Sequence, residues 1–171
     1  MNDTDNHNLL APPIPANSPL TRRVLSAGLM ALLIGVTFQP VHAKTSCSFT
    51  TSAPVIFGAY NVFSAFPNNN GVGSINVNCS DNGMTYAVSL NPGQSNTYSS
   101  RVMKSGANSL YYNLYTSVAR NVVWGDGTSG SSVISGAMGK TALLSVFGQI
   151  PAGQDVSVGT YTDNITVTVA F

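Results

Sequence analysis

Beyond residue 44 the chain alternates apolar and polar side chains with a period of two, the repeat of a half-buried strand. In the last segment, residues 159–171, Tyr161, Ile165, Val167, Val169 and Phe171 fall on one face, while Thr160, Thr162, Asn164, Thr166, Thr168 and Ala170 fall on the other. The same rhythm runs through Ile75, Val77 and Cys79, and through Met84, Tyr86, Val88 and Leu90. Cys47, Phe49, Ala53, Val55 and Phe57 share a face in an earlier segment, where Pro54 predicts an edge strand or a bulge. LYYNLY at 110–115 and ALLSVFGQI at 142–150 add further strands, and Asn-Gly and Gly/Ser runs supply the turns. No segment keeps helical spacing for long. Roughly seven short strands in one domain's length predict an all-β fold, an antiparallel immunoglobulin-like sandwich.

The start of the chain has a different character. Polar residues end in Arg22 and Arg23, an apolar run covers 24–38, and Val41-His42-Ala43 offers small residues for cleavage. This reads as a signal peptide over 1–43, followed by one domain over 44–171. The apolar run is shorter than the roughly twenty residues of a spanning helix, so no membrane span is expected. Thr21-Arg22-Arg23-Val24-Leu25 also resembles a twin-arginine export signal, although an ordinary basic leader before a general secretory signal is the favoured reading.

Export removes catalytic material. Both histidines, His7 and His42, precede the predicted cut, and the chain has no Glu. Asp81, Asp126, Asp155 and Asp163 are the only acids left. A His-assisted nucleophile, a His/Cys zinc site and a Glu-based acid/base pair are therefore excluded, so no enzyme, metal or cofactor is expected. Lys44, Arg101, Lys104, Arg120 and Lys140 nearly balance those acids, leaving no basic stripe for nucleic acid. Cys47 and Cys79 are the only cysteines, and in an oxidising compartment they are expected to pair.

Other motifs have bland explanations. Gly125-Asp126-Gly127-Thr128-Ser129-Gly130 spells G-x-G-x-x-G, but no strand–helix context surrounds it, and a turn packed on Trp124 is expected. Arg101, Met103 and Lys104 read as a polar loop, with Arg101 in an ion pair to Asp126 or Asp163. Tyr111, Tyr112 and Tyr115 could form a sugar platform, yet alternation sends Tyr112 away from the other two, which favours core packing with a bonded hydroxyl.

One ordered set of motifs spans the chain beyond the predicted cut: Cys47; Phe57-Gly58-Ala59-Tyr60; Val77-Asn78-Cys79; Arg101-Val102-Met103; Leu110 to Tyr115; Trp124-Gly125-Asp126-Gly127; Val146 to Gln154 with Gly148; and Gly159-Thr160-Tyr161-Thr162-Asp163. This set resembles the spore coat U domain family, including subunits of archaic, Csu-type chaperone-usher pili. The resemblance implies a pilin-like sandwich lacking its final strand, which a periplasmic chaperone and then another pilus subunit would complete, with an outer-membrane usher assembling the fibre. It assigns the strand-receiving face to Ile165, Val167, Val169 and Phe171. A self-contained coat or carbohydrate-binding module is the rival reading. Only Lys44, Thr45 and Ser46 separate the predicted cut from Cys47, which points to a subunit that accepts a strand without donating one, at a fibre tip or other terminal position.

Overall fold

The computed structural model describes residues 45–171; the predicted leader and Lys44 lie outside them. Eight strands follow in order: β1 (Cys47–Ile56), β2 (Val72–Cys79), β3 (Met84–Leu90), β4 (Arg101–Ser105), β5 (Asn108–Tyr115), β6 (Ile134–Met138), β7 (Thr141–Gln149) and β8 (Val167–Ala170). They form two sheets, β1-β2-β7-β5-β4 and β6-β3-β8, with every neighbouring pair antiparallel. This is the immunoglobulin-like sandwich that the alternation predicts.

The inward sets of the two sheets meet in one core. Ile75 and Val77 from β2, Leu110 and Leu114 from β5, and Val146 from β7 face Val88 and Leu90 from β3, with Trp124 wholly buried among them. Cys47 and Cys79 lie directly opposite each other at the ends of β1 and β2, and their sulfurs are bonded. Pro54 sits where expected: β1 is an edge strand, and its register shifts between Thr51 and Ala53 and again between Ala53 and Ile56.

Three features depart from the sequence reading. Residues 101–105 are a strand, not a polar loop; Arg101, Val102 and Met103 are all buried, so both faces are covered and no alternation marks them. The β6 strand lies in a Gly/Ser-rich stretch because Gly136 lets the Tyr86 ring lie close: a Cβ there would approach the Tyr86 hydroxyl to 3.2 Å. The terminal segment is not one continuous strand. Thr162 pairs with Lys104 of β4 through two main-chain hydrogen bonds of 2.9 and 3.0 Å, whereas Val167–Ala170 pairs with β3 in the other sheet.

Candidate functional site

β8 has a strand on one side only. Val167 stands opposite Leu90 and Val169 opposite Val88, and the other edge of β8 is the margin of its sheet. Ile165, Val167 and Val169 are half-buried and pack against the core, while Thr166 and Thr168 face outward. Phe171 lies just past the strand with 57% of its surface exposed. Between this segment and edge strand β1 the sandwich is open. A cavity of about 310 Å³ is walled by Val55 and Phe57 on one side and Ile165 and Val167 on the other, over a floor that includes Ile75 and Leu114. A second cavity of about 780 Å³ shares Val55, Phe57, Met103 and Tyr161 and extends to Tyr60, Leu110 and Val158. The site is thus an apolar groove flanked by two strand edges.

Small residues let its walls close in. Gly58, with φ +72°, turns the chain out of β1. The Phe57 ring lies over Gly148 and Gly71 and meets Tyr112 edge to face at 5.7 Å. A Cβ on Gly148 would come within 2.5 Å of that ring. Gly159 lies as close to Ser105, where a Cβ would approach the hydroxyl oxygen to 2.5 Å. The Tyr161 hydroxyl donates to the Ser157 carbonyl at 2.8 Å.

The segment leading into β8 is stapled where it crosses between sheets. Asp163 accepts from the Tyr112 hydroxyl (2.8 Å), the Gln94 amide (3.0 Å) and the Asn164 amide (2.8 Å). Asn91 receives the Thr166 amide on its side chain at 2.9 Å and donates its own amide to the Thr166 carbonyl at 3.0 Å. Tyr112 faces the core, as alternation predicts, while Tyr111 and Tyr115 lie on the opposite face. The loop Trp124 to Gly130 is the expected turn. Trp124 Nε1 donates to the Val88 carbonyl at 2.9 Å, and Asp126 accepts from the Thr128 amide and hydroxyl at 2.9 and 2.6 Å. Gly127 there has φ +89°, and a Cβ on Gly125 would collide with Ser131 and Tyr98.

Arg101 overturns its predicted ion pair. It is 0% exposed and bonded to neutral oxygens: Asn113 Oδ1 at 2.7 Å, the Trp124 carbonyl at 2.7 Å, and the Asn91 carbonyl through Nε at 3.2 Å and Nη2 at 2.9 Å. Its carbon stands 5.4 Å from the Tyr98 ring centre. The two aspartates are engaged elsewhere, Asp163 by Tyr112 and Gln94 and Asp126 by Thr128. Burial pulls the guanidinium below its ordinary value, opposed by nearby Tyr112, Tyr98 and Asp163. Sequence reading missed Asn91 and Asn113. Asn113, a polar residue in the middle of an apolar strand, was the one visible signal.

Burial, the hydrogen bond to Asp163 and that carboxylate's charge push the Tyr112 hydroxyl well above its ordinary value, with Arg101 opposing. The folded chain then holds a proton that the unfolded chain releases near pH 10. This stabilisation is complete below about pH 10 and is lost as pH rises further, at up to roughly 1.4 kcal/mol per unit for one tyrosine. Denaturant unfolding between neutrality and strong alkali should show that fall, and Tyr112→Phe should flatten it by one proton's worth. An unchanged slope in the variant would refute the assignment.

Among the described residues, no cluster of three or more His, Cys, Asp or Glu side chains comes together as a metal site. What the fold and groove define is a disulfide-bonded immunoglobulin-like sandwich with an open strand edge. Residues 33–168 match the Spore Coat Protein U domain model, and the chain belongs to that family. It is 34% identical over 108 residues to Protein U of Myxococcus xanthus, covering 59% of this chain and 60% of that protein. It is also similar to a chain in the CsuC-CsuE chaperone-tip adhesion subunit pre-assembly complex from archaic chaperone-usher Csu pili of Acinetobacter baumannii. There the identity is 28% and the TM-score 0.48, over 75% of this chain and 40% of that one. The chain thus spans less than two thirds of the length of either relative.

Proposed function

We propose that this chain is an exported subunit of a chaperone-usher fimbria, serving surface adhesion or biofilm formation. Its open groove receives a strand, first from a periplasmic chaperone and then from a neighbouring subunit at an outer-membrane usher. The carrying observation is the pairing of β8 on one edge only, with Ile165, Val167 and Val169 turned inward beside an open apolar groove. Main-chain groups along the free edge supply affinity, and alternate side chains supply register. An uncovered groove forfeits roughly 3 to 6 kcal/mol if four half-exposed apolar side chains each gain about half of the 1.5 to 3 that full burial brings. That is a large share of a domain's whole stability of about 5 to 15 kcal/mol. The reading includes removal of a leader after Ala43; with so short an extension before Cys47, the subunit takes a terminal place in the fibre.

Co-expression with an immunoglobulin-like pilus chaperone tests this. The wild-type chain should be recovered as a complex, Val167→Asp should abolish it by placing a charge inside the groove, and N-terminal sequencing of the complex should begin at Lys44. A chain that folds reversibly as a stable monomer without the chaperone, and binds none when offered, overturns the reading in favour of a self-contained coat module.

A further inference from the structure

Beside the larger cavity, the main chain of β5 at Tyr111 lies past the end of the pairing with β7, and a side chain occupies its bonding position. β5 and β7 pair as Asn113↔Gln149, Leu114↔Gly148 and Tyr115↔Phe147. Carried two residues further, this register sets Tyr111 opposite Pro151, which has no N–H to give. The missing partner is replaced by the Gln154 side chain. Tyr111 N–H donates to Gln154 Oε1 at 2.7 Å, and Gln154 Nε2 donates back to the Tyr111 carbonyl at 2.9 Å. One amide side chain thus makes both bonds that a neighbouring strand residue would make.

The clamp is tied to the groove. Tyr60, on the wall of the larger cavity, accepts from the Gln154 main-chain N–H at 3.0 Å and donates to the Pro151 carbonyl at 2.9 Å. Gln154 Nε2 also reaches the Pro151 carbonyl at 3.2 Å. Leu110 and Ile150, beside the capped position, line the same cavity. An extended segment entering there would otherwise meet the uncapped N–H and C=O of Tyr111, a competing point for strand pairing inside the sheet.

We infer that Gln154 is a specificity-determining residue: by capping the Tyr111 main chain it denies that stretch of β5 to an incoming strand and leaves addition to the edges that flank the groove, β8 among them. The inference rests on the strand-addition reading above. Specificity of this kind comes from removing the wrong site as well as from building the right one. A purely structural clamp would change stability without changing where a strand pairs.

The test uses the full exported chain and a short synthetic peptide of alternating valine and threonine, with amide hydrogen exchange read residue by residue. In the wild type the peptide should slow exchange in β8, at Val167 and Val169, whose N–H groups face the free edge, and leave Tyr111 unchanged. Gln154→Met removes both amide partners while keeping length; there the free chain should exchange quickly at Tyr111, and the peptide should slow that position by at least about tenfold. Tyr60→Phe, a milder loosening of the same clamp, should give a smaller effect in the same direction. Protection of β8 in all three proteins without peptide-dependent protection of Tyr111 in either variant overturns the inference and leaves the strand-addition reading standing. Absence of β8 protection in every protein overturns that reading, and the inference with it.

Discussion

Replacing Arg101 by methionine should cost about 3 to 5 kcal/mol of unfolding free energy, the scale on which one partner is removed from a buried, hydrogen-bonded charged group. Methionine fills much of the space but leaves the Trp124 carbonyl, the Asn91 carbonyl and Asn113 Oδ1 without these donors in a dry interior. Those oxygens belong to three separate segments, so the loss loosens the loop before β4, the middle of β5 and the loop after it together. Asn91 passes the effect on to β8 through its two bonds with Thr166. Arg101→Lys should recover only part of the stability, because an ammonium cannot reproduce the planar fork that bonds all three oxygens. Denaturant unfolding of the oxidised chain measures both variants. A methionine variant within about 1 kcal/mol of wild type would show that the network contributes little.

Removing the disulfide should have an effect of similar size by a different route. Cys47 and Cys79 are 32 residues apart in sequence, and on the chain-entropy model a loop of this length is worth roughly 3 to 4 kcal/mol through restriction of the unfolded chain. The native state has its own reason to need the bond. β1 is an edge strand held by β2 alone along its ladder, and its register breaks twice around Pro54. The bond anchors the one end of β1 that is in unbroken register. In the Cys47→Ala/Cys79→Ala chain, amides of β1 should exchange far sooner than those of β2, which keeps its pairing to β7. Since Val55 and Phe57 form a groove wall, the variant should also lose strand capture. Equal exchange in β1 and β2, with stability near wild type, would refute this account.

Strands buried on one face were legible, and those buried on both were not. β2 alternates buried and half-buried residues through Gly73, Ile75, Val77 and Cys79, and the sequence pattern matched it. β4 packs Arg101, Val102 and Met103 on both faces, and a strand beginning with arginine carries no apolar rhythm to read. The fate of Arg101 was hidden for a related reason. Two of its partners are main-chain carbonyls, which every residue carries, and the third is the neutral amide of Asn113, so no acidic residue in the sequence marks them. Gln154 was equally silent, because its role depends on the register that sets Pro151 opposite Tyr111.

The candidate site divides along the same line. Side-chain alternation is a local property of an extended chain, so sequence alone determined that Ile165, Val167 and Val169 share a face, that Tyr112 turns from Tyr111, and that Pro54 interrupts β1. The cysteine count and an export-type leader likewise indicated the bond between Cys47 and Cys79. Pairing between distant segments decided the rest. That β8 has a neighbour on one side only, that residues 162 and 167–170 pair with different sheets, and that Phe171 stands clear of the core all depend on where Lys104, Asn91 and β3 lie in space. A strand's face is written in its own residues; which of its edges stays open is set by the strands around it.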